Sequence, residues 1–164
     1  MTKIHIGFSY PKKFKLFAYL ISKWINKPYS HVYIRFESSD SRVPSNIYHA
    51  SSGMVHFLEF NNFKNKNNII KEYSLTISKE DRLATLIHCM YLSGEVYGYF
   101  EIIKIFITDI LNYFNFNLNT KNSKGYICSE LIAVLIENKF NLNINKPRHL
   151  LKPNDIEELI KQLG

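Results

Sequence analysis

Residues that staple or coordinate are scarce in this chain. Its 164 residues include two cysteines, Cys89 and Cys128, and no C-x-x-C pair. That argues against a zinc ribbon or a dithiol redox motif. No H-E-x-x-H or equivalent cluster occurs, so metal catalysis has no ligand set and no cofactor is expected. Neither a glycine-rich phosphate loop nor a recognisable nucleic-acid motif is present. Long apolar runs are missing too. The greasiest stretch, "YFEIIKIFITDILNYF" (99–114), contains Glu101, Lys104 and Asp109. It is too short and too charged for a membrane span. The start, "MTKIHIGFSY", lacks the apolar core of a signal peptide and alternates like a strand. These absences lead us to expect a reducing, cytoplasmic setting, with export by a non-signal route left open.

Aromatic residues and lysine are abundant. Twelve Phe and eleven Tyr supply large core side chains, and the length suits one domain over 1–164. The formal charge is +7 and the pI about 9.3. Much of that charge is Lys in Asn-rich stretches, which reads first as a solvated surface. Contact with an anionic surface, lipid or cell-wall polymer, is the second reading.

The period of the apolar residues divides the chain. Ile4, Ile6 and Phe8 alternate, so 3–8 is a strand. "KFKLFAYLISKWIN" (13–26) is helical. "SHVYIRFES" (30–38) is a strand with Val32, Ile34 and Phe36 on one face and His31, Tyr33, Arg35 and Glu37 on the other. "NIYHASSGMVHFLEF" (46–60) is a hairpin about Ser52-Gly53, which would set His49 opposite His56. A polar loop (63–68) and a strand (69–75) follow. Helices are expected over 78–93, capped by Ser78 and carrying Leu83, Leu86, Ile87 and Met90, and over 100–114. An Asn/Lys loop (115–125) leads to a helix at Cys128. A last helix is expected to open on an Asn154-x-x-Glu157 capping box. Strands first and helices later make an α+β chain with an antiparallel sheet packed against helices.

The stretch "KGYICSELIAVLIENK" (124–139) carries the most chemistry. Its cysteine falls in the first turn of an apolar helix, where unpaired N–H groups and the helix dipole favour an anion. A thiolate is such an anion, and its pKa falls there. A thiol nucleophile also needs a base and a group to orient that base. His5, His88 and His149 read as structural or solvated. His31 begins a strand and His49 ends one. Both could project at one end of the sheet, where the Cys128 helix could dock.

"SHVYIRF", "NIYHASSG", "GEVYGY", "YICSELIA" and "LKPNDI" occur in this order. The order resembles that of permuted papain-like cysteine hydrolases, the YiiX-like relatives of NlpC-type peptidoglycan peptidases. It is also the order of the lecithin retinol acyltransferase group. In ordinary NlpC-type enzymes the cysteine helix comes before the histidine strands. The resemblance spans about residues 4–156. It implies a circularly permuted papain-like fold with Cys128 as nucleophile, His31 as base and His49 as the orienting residue. Glu37, on the strand parity of His31, and His56 are alternatives for the third role, because some permuted members place a carboxylate or amide there. Tyr97 and Tyr99 match a segment that walls the cleft in the relatives. Core packing explains those two equally well. Ser30 and Tyr126, close to His31 and Cys128 in sequence, are further cleft candidates.

The resemblance implies an acyl or amide substrate. A peptide or peptidoglycan-stem amide, cleaved through a thioester, is the first expectation. A lipid-directed thioesterase, phospholipase or acyltransferase is the second. A non-catalytic binding module on the same scaffold is the third. Oligomeric state is not legible.

Overall fold

The computed structural model describes residues 1–113, 127–140, 144 and 146–163, apart from 39, 41, 52 and 97. Five strands form one antiparallel sheet in the order β4-β3-β2-β1-β5. They are β1 (Thr2–Pro11), β2 (His31–Phe36), β3 (Asn46–Ser51), β4 (Met54–Glu59) and β5 (Asn67–Ile77). Six α-helices accompany them among the described residues: α1 (Leu16–Ile25), α2 (Phe60–Lys66), α3 (Lys79–Leu92), α4 (Tyr99–Tyr113), α5 (Cys128–Phe140) and α6 (Pro153–Lys161). The chain is thus α+β, as its element order suggests.

Strand alternation sorts the sheet into two faces. Ile4, Ile6, Phe8, Val32, Ile34, Phe36, Tyr48 and Ala50 point into the main core, with Leu131, Ile132 and Ile136 of α5 and Ile156 and Ile160 of α6. The opposite face is smaller and is covered by α2, whose Phe63 packs with Tyr33 and Ile47. The hairpin register sets His49 against His56 and Ser51 against Met54, which leaves a two-residue turn. Gly53 takes φ +92° in that turn, a conformation that favours glycine.

Three local readings change. The expected polar loop at 63–68 is mostly helix α2, followed by a strand already running at Asn67. In α3 the buried positions are Thr85, Cys89 and Leu92, while Leu83, Ile87 and Met90 face out. Spacing i, i+4, i+7 fits either stripe, and the sheet takes the one with small residues. Helix α6 starts one residue before the expected Asn154 cap. The Asp155 carboxylate accepts the Lys152 N–H at 2.7 Å, and Glu157 is turned inward instead. The expected Ser78 cap is present, accepting the Asp81 N–H at 2.9 Å.

One glycine is set by close approach. A Cβ on Gly7 would lie 2.2 Å from the Tyr33 ring. That ring is held on both sides: its hydroxyl donates to Glu72 Oε1 at 2.9 Å and its edge meets Phe63. Gly7→Ala should therefore cost about 1–3 kcal/mol by overpacking. The expected readout is a melting temperature lower by several degrees. An unchanged melt would mean that Tyr33 yields without cost.

Candidate active site

Cys128 is the first residue of α5, as its helix-start position suggested. The helix is apolar along its buried length, so it lies on β2 and β3 and brings its first turn to the start of β2. The β2–β3 ladder is paired only at Ile34–Phe36 with Asn46–Tyr48. Toward His31 the ladder pairing ends at Ile34–Tyr48. The Val32 N–H, which has no β3 partner in that ladder, lies close enough to the Cys128 sulfur to favour its thiolate. The N–H groups of Ser129 and of Cys128 itself also point at the sulfur. Ser129 Oγ donates to the Leu151 carbonyl at 2.5 Å and pins this turn to the segment before α6.

Burial opposes these donors. It pushes the Cys128 thiol above its ordinary range, and the three N–H groups recover only part of that. The lowered pKa expected of a helix-start cysteine is therefore not found in this closed site. The dipole and N–H groups act in the expected direction, but desolvation is larger. Cys89, mid-helix in α3, is pushed up by burial with no such donors against it.

The two strand histidines meet each other. His31 Nε2 and His49 Nδ1 are 3.1 Å apart, with rings nearly perpendicular. His49 Nε2 lies 3.5 Å from Ser51 Oγ. The His56 ring packs at a tilt against His49, with centroids 4.6 Å apart. Phe63 of α2 touches both the His31 and His49 rings. Burial lowers His31 to about 4, helped by the nearby Lys15 and His56 charges. Burial lowers His49 to about 2, helped by His31 and His56. Both imidazoles are neutral at neutral pH.

The relation of thiol to imidazole is specific. Strand parity turns His31 and His49 toward α2, whereas Cys128 belongs to the α5 side. The structure records no hydrogen bond between Sγ and the His31 ring; the sulfur sits at the amide of the next residue.

The other candidates fall as follows. Glu37 bonds His5 Nε2 at 3.3 Å. It shares the parity of His31, but six residues of strand rise put it about 20 Å away. His56 Nδ1 is 3.4 Å from the Met54 carbonyl. His49 is thus the one of the three that bonds His31. Ser30 is buried and donates its N–H to the Ser9 carbonyl at 3.1 Å. Tyr99 opens α4, while Tyr97 and Tyr126 lie outside the described residues. No group of three or more His, Cys, Asp or Glu among the described residues is arranged to hold a metal. No helix among them is long and apolar enough to cross a membrane.

Two features escaped the sequence reading. One is the His5 bridge between Ser74 Oγ, at 2.9 Å, and Glu37. The other is the Arg35–Glu72 pair, with contacts of 2.9 and 2.7 Å. Both are cross-strand pairings, and strand parity without the sheet order cannot find them.

No protein-family model matches this chain, and no curated protein sequence matches it.

Proposed function

We propose that the chain is a cysteine hydrolase of permuted papain-like architecture, acting on an amide through a Cys128 thioester. The observation that carries this reading is the sulfur at the head of α5. The backbone N–H groups of Val32, Ser129 and Cys128 favour its thiolate, and the hydrogen-bonded His31–His49 pair lies on the neighbouring strands β2 and β3.

The tautomers of the histidine pair follow from their hydrogen bond. Nε2 of His31 is engaged by His49, so Nδ1 is the nitrogen left to accept a proton. That requires Nε2–H to donate to His49 Nδ1, which places the His49 proton on Nε2, facing Ser51 Oγ. Resting thiol and imidazole are both neutral. For this chemistry the His31 ring, on the α2 side of the sheet, must reach the sulfur on the α5 side near where the β2–β3 pairing ends. The proton passes from Sγ to His31 as sulfur attacks the carbonyl carbon. The opposite charges then formed stabilise one another in a dry site. The Cys128 N–H, at the open helix end, serves the oxyanion. The imidazolium returns its proton to the leaving amine as the C–N bond breaks. Water, deprotonated by His31, then cleaves the thioester and restores the thiol.

An ester or lipid substrate is the second reading, favoured by the Lys15 charge felt at His31 and the exposed apolar residues close to it in α1. The test is a screen of acyl amides and esters, with mass mapping of covalent adducts. An acyl adduct on the Cys128 peptide, absent in Cys128→Ala and absent from Cys89, is expected. Adducts on neither cysteine, or on both equally, would remove the basis for a nucleophilic Cys128.

A further inference from the structure

We propose that the segment from Lys12 to Lys23 is a docking surface for an anionic lipid bilayer. This concerns binding, and it stands or falls apart from the chemistry of Cys128.

The segment joins β1 to β2 and contains α1. Its inner side is ordinary: Ile21, Trp24 and Ile25 pack against the main core. Its outer side is not. Phe14 is 75% exposed and Leu16 59% exposed, and Tyr19 and Leu20 are each more than 40% exposed. Leu16, Tyr19, Leu20 and Lys23 recur at i, i+3, i+4 and i+7, so they form one stripe along the helix. Phe14 extends that stripe beyond the helix start, with its ring 6.1 Å from that of Tyr19.

Charge decides the occupant. Lys12, Lys13 and Lys15 flank the start of the stripe and Lys23 ends it, and all four are exposed. None of them makes an ion pair among the described residues. The Lys12 N–H donates to the Lys66 carbonyl at 2.9 Å, which joins the basic last turn of α2 to this edge. No acidic residue occurs between Thr2 and Lys27. A protein partner with an apolar face would be repelled by this unmatched charge unless it were itself acidic. A bilayer with anionic headgroups satisfies both parts at once: headgroups take the ammonium groups, and the acyl boundary takes Phe14, Leu16 and Leu20. Tyr19 suits the boundary because its ring is apolar and its hydroxyl is polar. The outward stripe of α3 (Leu83, Ile87, Met90) has no comparable charge and names no partner.

Flotation with vesicles tests this. The protein should float at low salt with phosphatidylcholine vesicles containing about a third phosphatidylglycerol, and stay behind with phosphatidylcholine alone. Lys13→Gln with Lys15→Gln should weaken partitioning about fivefold per lysine and flatten its salt dependence. Phe14→Ser with Leu16→Ser should weaken it as well. It should change the melting temperature little, because both side chains are mostly exposed to water. Failure of the wild-type chain to float with anionic vesicles overturns the proposal. So does a Phe14/Leu16 variant that floats like wild type. Tight binding of an RNA oligonucleotide that is lost with the lysines but kept without Phe14 and Leu16 would assign the patch to polyanions instead. A wild-type dimer in gel filtration that Phe14→Ser with Leu16→Ser dissociates would assign it to a second copy of the chain.

Discussion

Replacing Glu157 with Gln should cost about 3 kcal/mol of stability at neutral pH and nearly nothing in strong acid. Glu157 is 2% exposed, on the inner face of α6. Its Oε1 accepts from Lys71 Nζ at 2.5 Å, Tyr73 hydroxyl at 2.8 Å and Lys161 Nζ at 3.1 Å. Its Oε2 accepts from the Tyr29 hydroxyl and faces Lys27 Nζ at 3.9 Å. Burial alone would raise this carboxyl. The Lys71, Tyr29, Tyr73 and Lys161 hydrogen bonds outweigh it and hold the group at about 2. The unfolded chain returns it to about 4.3. A folded pKa below the unfolded one adds stability above the unfolded value, lost as pH falls through the folded one. Two units at about 1.4 kcal/mol each give the estimate. Gln keeps the shape but not the charge, so Tyr29 and the lysines lose their acceptor strength. Urea unfolding at pH 7 and near pH 2 measures the difference. The gap between wild type and Glu157→Gln should close in acid. An equal gap at both values would assign the loss to packing rather than to the carboxylate.

That network also marks where the sequence stops being readable. Glu157 looks like a capping residue because it lies three positions after Asn154. Nothing local reveals that Tyr29 and Lys71, far away in the chain, converge on it. Strands β1 and β2 were legible because alternation over six residues has one interpretation. The His49–His56 pairing was legible because Ser52-Gly53 leaves a two-residue turn. Cys128 at the head of α5 was legible because the apolar period begins beside it.

Helix α2 was not legible: "FNNFKNK" offers two apolar residues among Asn and Lys, and tertiary cover by Phe63 stabilises it. The side of the sheet taken by α5 was hidden too. Parity separates His31 from Val32 but does not say which of them meets the helix. The structure answers that Val32 does, through its N–H, and the histidines lie on the α2 side. Burial then reverses the sign expected for the Cys128 thiol, since helix-start position is local and desolvation is not.

The same geometry divides labour between the two histidines. His31→Ala should lower kcat/KM on the substrate identified by the adduct screen by about 10²–10⁴-fold, the usual worth of a general base. His49→Gln should lose less, because the Gln carbonyl can still accept from His31 Nε2–H and preserve the tautomer. Their pH profiles separate them further. In the wild type, kcat/KM should fall as pH drops through about 4, where His31 takes a proton and ceases to be a base. The His31→Ala variant should lose that acid limb. The His49→Gln variant should keep that limb near its wild-type position, because burial and the Lys15 and His56 charges, rather than His49, hold His31 down. Alkylation by iodoacetamide gives an independent reading. The Cys128 thiol is held up by burial, so its rate in the wild type should be low at neutral pH and rise in alkali, ahead of Cys89. If His49→Gln abolishes turnover while His31→Ala spares it, the two roles are exchanged. If neither variant changes turnover, the pair is a packed histidine cluster, and Cys128 reacts without it.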